Sequence, residues 1–121
     1  MRILGRRRKD DESTADLDKE DRHVLNVLAS RGADLTKARH VIHFLLFRDG
    51  AGARRAAATI EQAGYMTRLE ERDAAGGEWL LRAESTRVVD GQTMLAFRRW
   101  FEMIAEDFDG EYAGWEASAK P

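Results

Sequence analysis

The stretch over residues 94–108 constrains the fold of this 121-residue chain more than any other. Its apolar side chains recur at Met94, Phe97, Phe101, Ile104 and Phe108. This spacing of three and four residues is typical of an amphipathic helix. The Asp-Gly pair that follows is a turn signal, and residues 111–116 predict a strand after it. A helix this apolar on one face needs a sheet or other helices to cover it.

The rest of the chain predicts two more helices and three more strands. Acidic residues at 16 and 18 are candidate caps for the first helix, and a glycine at 32 ends it. The strand over 39–47 is apolar on both faces, which indicates a central position in the sheet. A glycine-containing loop after residue 71 joins the strands over 65–71 and 78–89 as a hairpin. The predicted elements are a helix over 16–31, a strand over 39–47, a helix over 53–63, and strands over 65–71 and 78–89.

This order, a helix followed by β-α-β-β-α-β, predicts an α+β fold of the ferredoxin-like type with an extra N-terminal helix. Right-handed crossovers place both crossover helices on one face of a four-stranded antiparallel sheet with the strand order 4-1-3-2. Residues 16–117 then form a single domain. Residues 1–15 are expected to be a flexible charged tail, because four basic residues at 6–9 are followed directly by three acidic residues at 10–12.

The C-terminal segment also carries a resemblance to a known family. The run from Ala105 to Trp115 has a helix ending in Phe-Asp, then a tyrosine and a Gly-Trp pair. Upstream, an apolar strand over 40–47 that contains histidine leads through a helix to Ala-Gly-Tyr at 63–65. In order and spacing this resembles the bacterial regulator of ribonuclease activity B family over residues 17–116. The resemblance implies a ferredoxin-like fold and a protein inhibitor of ribonuclease E that acts in RNA degradation.

The residues themselves indicate no catalytic or metal site. The chain has no cysteine, and its three histidines do not converge, because His40 and His43 fall on opposite faces of one predicted strand. No nucleophile motif or nucleotide-binding loop is complete. We therefore predict a cytoplasmic protein that is not an enzyme and binds no cofactor or metal. The net charge of −2 also argues against direct binding of nucleic acid.

The predicted working surface is the sheet face opposite the two crossover helices, extended by the last strand, which the plait places at an edge. Strand alternation assigns Val41, His43, Leu45 and Phe47 to that face. An apolar centre with a charged border is what a non-obligate protein interface needs. The predicted partner is a ribonuclease of the ribonuclease E type, as the resemblance implies. The predicted contact residues are His43, Arg68, Arg82, Glu84, Tyr112 and Trp115.

Three alternatives remain open from the sequence. The domain could instead be a ferredoxin-like module that dimerises or binds a small ligand and has no role in ribonuclease control. RNA binding on the sheet would need exposed aromatic residues on both central strands, which the sequence does not supply. The first helix could also cover the predicted face, which would move the partner site to the sheet edge near Tyr112 and Trp115 or to the outer surface of the helices.

Overall fold

A computed structural model of the protein describes residues 2–6, 19–72 and 77–119. Over these residues the chain forms three helices and five strands. The predicted helices and strands are all present, with ends shifted by at most three residues where they are described. The elements are β1 (Arg2–Arg6), α1 (Lys19–Ser30), β2 (Ala38–Phe47), α2 (Gly50–Gln62), β3 (Met66–Glu71), β4 (Trp79–Val88), α3 (Gly91–Asp107) and β5 (Gly110–Ser118).

The described strands form one antiparallel sheet in the order β1-β5-β2-β4-β3. Strands β2 to β5 alone give the order β5-β2-β4-β3, which confirms the predicted plait order 4-1-3-2. The central strand is β2, which pairs along its whole length with β4 and over most of its length with β5. The α+β fold with an extra N-terminal helix is therefore confirmed.

Strand β1 differs from the prediction of an N-terminal tail. Residues 2–6 pair antiparallel with β5, from Arg2 opposite Ser118 to Arg6 opposite Gly114. An edge strand presents a row of unpaired backbone groups, and a short segment pairs with it without needing a long apolar run. The tail prediction is thus wrong for residues 2–6, and its remaining part, residues 1 and 7–15, lies outside the described residues. The prediction that β5 is an edge strand is also wrong.

The three helices lie on the same face of the sheet. Between helices and sheet is one apolar core with Leu28 of α1, Ile60 of α2 and Phe101 of α3, all completely buried. Strands β2 and β4 contribute Leu45 and Leu81 to this core, and these two residues are directly opposite each other. No described element covers the other face of the sheet, which we call the open face.

The two faces of β2 are the reverse of the prediction. Val41, His43, Leu45 and Phe47 were assigned to the open face, yet all four are at most 1% exposed beneath the helices. Pairing decides this, because His43 is opposite Ala83, and Ala83 lies beneath the helices. Alternation separates two faces but does not say which is covered when both are apolar. The open face of β2 instead carries Ile42, Phe44 and Leu46.

A β-bulge in β5 determines which side chains reach the core. The pairing with β2 shifts between Phe44, opposite Gly114, and Leu45, opposite Tyr112, so β5 has one extra residue there. Gly114 has φ of 133°, a conformation that side chains rarely adopt. In a regular strand, residues three apart point to opposite faces. The bulge therefore allows both Tyr112 and Trp115 to point into the core, where they are 1% and 0% exposed.

Helix α3 is fixed at both ends by local contacts. Asp90 is its N-cap and forms a capping box with Thr93. At the other end Asp109, with φ of 58°, turns the chain into β5. Gly110 is required by packing, since a Cβ atom there would overlap the Phe47 ring and the Leu46 carbonyl oxygen. Among the described residues, no helix is long and apolar enough to cross a membrane.

The packing of α3 gives a direct stability prediction. Phe101→Ala should lower the free energy of unfolding by about 3–5 kcal/mol, because it leaves a cavity at a completely buried position. The matched control is Met103→Ala on the outer side of the same helix, where the side chain is 53% exposed. That change should stay within about 0.5 kcal/mol. Equal losses in chemical denaturation of the two variants would mean that the buried side of α3 is misassigned.

Candidate functional site

A buried carboxylate joins three elements on the helix-covered face. Asp21 of α1 is completely buried and accepts hydrogen bonds from Arg98 Nε at 2.7 Å and from Trp115 Nε1 at 2.8 Å. Arg98 of α3 also lies 3.5 Å from the Glu102 carboxylate in the next helical turn. A buried charge is tolerated only when it is paired and hydrogen-bonded. This cluster therefore ties α1, α3 and β5 together and is not accessible to a partner.

A second buried polar contact lies beside it. His43 Nδ1 and the Tyr112 hydroxyl are 2.8 Å apart, and the His43 ring stacks on Phe101 at a centroid distance of 4.1 Å. Burial lowers the pKa of His43 to about 3, and the positive charge of Arg87 acts in the same direction. Burial also raises the pKa of Tyr112 well above its usual value. Both side chains are thus neutral near pH 7, and neither has the solvent access that a general base needs.

This burial corrects half of the predicted contact set. His43, Tyr112 and Trp115 are at most 1% exposed, so a partner docking on the surface does not touch their side chains. The prediction failed for His43 because it exchanged the buried and open faces of β2. It failed for Tyr112 and Trp115 because β1 covers the outer side of β5 and the bulge turns both rings inward.

The other three predicted residues come together on the open face. Arg82 of β4 is directly opposite Arg68 of β3 on one side and Phe44 of β2 on the other. In the next row, Glu84 is opposite Ile42 and Met66. The open face of these three strands carries Ile42, Phe44, Leu46, Met66, Arg68, Glu70, Leu80, Arg82 and Glu84.

Phe44 and Arg82 form the centre of this face. The guanidinium carbon of Arg82 lies 5.8 Å from the centre of the Phe44 ring, within cation–π range. The Nε of Arg82 is buried and has no hydrogen-bond partner among the described residues. At the border, His40 Nε2 lies 3.2 Å from the Glu84 carboxylate. The arrangement is a half-buried apolar and arginine centre with charged groups around it.

Neither cluster resembles a reaction centre. His40 lies on the open face and His43 beneath the helices, so the two histidines cannot act on one ion. Among the residues that the structure describes, no three His, Asp or Glu side chains are placed to hold a metal.

Sequence reasoning missed the buried ion pair, although a signal for it exists. Arg98 lies four residues after Met94 and three before Phe101, on the apolar stripe of α3. Asp21 lies three residues before Val24 on the stripe of α1. Opposite charges on the facing stripes of two helices predict a buried pair. Phe44 was not predicted as a surface residue because the prediction exchanged the buried and open faces of β2.

The family comparison agrees with this geometry. Residues 18–117 match the family model described as regulator of ribonuclease activity B. The chain belongs to the regulator of ribonuclease activity B family. The match runs from the start of α1 almost to the end of β5, so it includes Asp21, Arg98, Trp115 and the whole open face, whereas β1 precedes it. None of the curated proteins matches the chain.

Membership in the regulator of ribonuclease activity B family assigns a regulatory role. The recognition made from the C-terminal helix and the Gly-Trp pair is therefore confirmed. That role implies a protein partner in the control of ribonuclease activity.

The buried His43 predicts a pH dependence of stability. Its pKa is about 3 in the folded chain and about 6.5 in an unfolded one. Below pH 6.5 the unfolded state therefore gains a proton that the folded state does not take up. This lowers the free energy of unfolding by roughly 1.4 kcal/mol per pH unit as the pH falls toward 3.

Denaturation of wild type and His43→Asn at several pH values tests this, because Asn keeps a polar group near the Tyr112 hydroxyl but does not titrate. The stability advantage of wild type should be largest above pH 7 and should shrink steadily between pH 6 and 4. Taking the difference between the two proteins removes the contribution of carboxylates that they share. Parallel stability curves would contradict the assignment of a buried neutral His43.

Proposed function

We propose that this protein binds a ribonuclease of the ribonuclease E type through the open face and lowers its activity without catalysing a reaction itself. On this proposal it acts in RNA degradation in the bacterial cytoplasm. Family membership supports the regulatory role, and the resemblance of the C-terminal segment supports inhibition as its direction. The open face is the surface with the composition of a protein interface.

The observation that carries the proposal is the Phe44–Arg82 pair at the centre of the open face. An aromatic ring and an arginine in the middle of a patch are the residue types that dominate binding energy at protein interfaces. The Arg82 side chain as a whole is only partly buried, so it places a positive charge at the centre of the face beside the Phe44 ring. Leu46 and Leu80, both half-buried and opposite each other, extend the apolar centre.

The same geometry favours a protein partner over RNA. Sheets that bind RNA stack bases on aromatic side chains of both central strands. Here β2 supplies Phe44, but β4 supplies Leu80, Arg82 and Glu84 on this face. A carboxylate beside the ring would also repel phosphate, whereas charged groups at the border of an apolar centre suit a protein surface.

Two single substitutions test the proposal, each measured for its affinity for purified ribonuclease E. Phe44→Ala removes the central ring and Arg82→Ala removes the central cation. Each should weaken binding by about tenfold or more, which corresponds to roughly 1.4 kcal/mol. Arg55→Ala, on the exposed outer side of α2, is the matched control and should bind as wild type does.

Inhibition is read from the rate of RNA cleavage by the same enzyme, with increasing amounts of each variant. Wild type and Arg55→Ala should slow cleavage at the same concentration, and the two open-face variants should require more protein. Equal binding by all four proteins would place the interface elsewhere. Wild type that neither binds ribonuclease E nor changes cleavage would contradict the proposed function.

A further inference from the structure

Strand β3 ends the described sheet on the side away from β1. Its backbone groups alternate in direction, as in any antiparallel strand. The Arg72 N–H donates to the Glu78 carbonyl oxygen at 2.9 Å, so residues an even number of positions before Arg72 also direct their backbone groups toward β4. The backbone groups that point away from the sheet are those of Thr67, Leu69 and Glu71.

Charged side chains usually protect such an edge from pairing, but on β3 the two signs alternate. Arg68 and Glu70 are both exposed on the open face. Across the sheet Arg68 is opposite Arg82, a like charge, and Glu70 is opposite Leu80. Within the part of the chain that the structure describes, neither Arg68 nor Glu70 takes part in an ion pair.

A second copy of the same strand supplies both partners in one register. In a dimer with a two-fold axis perpendicular to the sheet, opposite residues of the two strands must lie on the same face. This requires that one residue of β3 is directly opposite its own copy, with the axis midway between the two. An axis at Leu69 places each Arg68 opposite Glu70 of the other copy, twice. An axis at Arg68 or at Glu70 would instead place two like charges opposite each other, which is destabilising.

The backbone fits the same register. With the axis at Leu69, the outward N–H and C=O of Leu69 meet those of Leu69 in the second copy, and Thr67 meets Glu71. The Arg68–Glu70 pairs then occupy the non-hydrogen-bonded positions, where side chains on adjacent strands come closest. Met66, which is 77% exposed, lies at the end of the same edge and would be partly covered.

One contact opposes association. On the helix side the register places Glu71 of one copy opposite Thr67 of the other, whose hydroxyl already donates to the Glu61 carboxylate. At each end of the paired strands, the Glu71 carboxylate of one copy then approaches the Glu61 carboxylate of the other. Together with the small area of a single strand pair, this predicts weak association that depends on concentration.

From these observations we infer that β3 is a self-association edge. Two copies of the chain pair antiparallel about Leu69 and form one continuous sheet whose open faces lie side by side. The paired Arg68 and Glu70 of the two copies specify the register. This inference does not depend on the proposed function, because the two β3 strands meet without any ribonuclease.

Charge exchange in the full chain tests the inference by sedimentation equilibrium over a range of concentrations. Arg68→Glu and Glu70→Arg each place like charges opposite each other in the dimer and should weaken association by about tenfold. The double variant restores two opposite-charge pairs and should associate as wild type does. Arg55→Glu, the same charge change on the exposed side of α2, is the control and should not alter association.

Mixing the two single variants gives the most specific readout. An Arg68→Glu chain and a Glu70→Arg chain are complementary at both pairs, so native mass spectrometry should show the mixed dimer in preference to either homodimer. Circular dichroism checks that each variant is folded. Wild type that stays monomeric at its highest soluble concentration would overturn the inference. So would single variants that associate as wild type does, or a mixture without preferential pairing.

Discussion

The buried carboxylate of Asp21 is the interaction on which the arrangement of the rest depends. It accepts one hydrogen bond from Arg98 and one from Trp115, residues that follow it by 77 and 94 positions along the chain. A buried carboxylate without these donors would cost several kcal/mol. The pair is thus satisfied only when α1 lies beside α3 over β5. The contact selects one placement of the N-terminal helix among those that an apolar stripe alone would allow.

That placement leaves the other side of the sheet uncovered by the described helices. If α1 had covered the opposite face, the apolar side chains there would have been buried in a second core. With all three helices on one side, Phe44 and Arg82 remain at a surface that no described element covers. The position of a buried charge in α1 is in this way linked to the surface that we propose as the binding site for a ribonuclease.

Much of the fold was predictable because it depends on local periodicity. The stripe of α3, the turn after it and the β-α-β-β-α-β order follow from short-range patterns, and the strand order follows from crossover handedness. Alternation could not predict which face of β2 the helices cover, because both of its faces are apolar. The bulge at Gly114 was also not predicted. One inserted residue reverses the face to which all later side chains of the strand point, so strict alternation assigns them wrongly. As a result, three of the six predicted contact residues lie in the core, while Arg68, Arg82 and Glu84 share the open face.

Methyl cross-saturation NMR of the labelled protein bound to ribonuclease E would test the role of the open face most directly. Saturation spreads from the bound enzyme only to methyl groups near the interface. The methyl signals of Leu46 and Leu80 should lose intensity, whereas those of Leu95 and Met103 on the outer side of α3 should keep it. Loss of intensity at Leu95 and Met103, with Leu46 and Leu80 unchanged, would contradict the assignment of the open face as the binding surface.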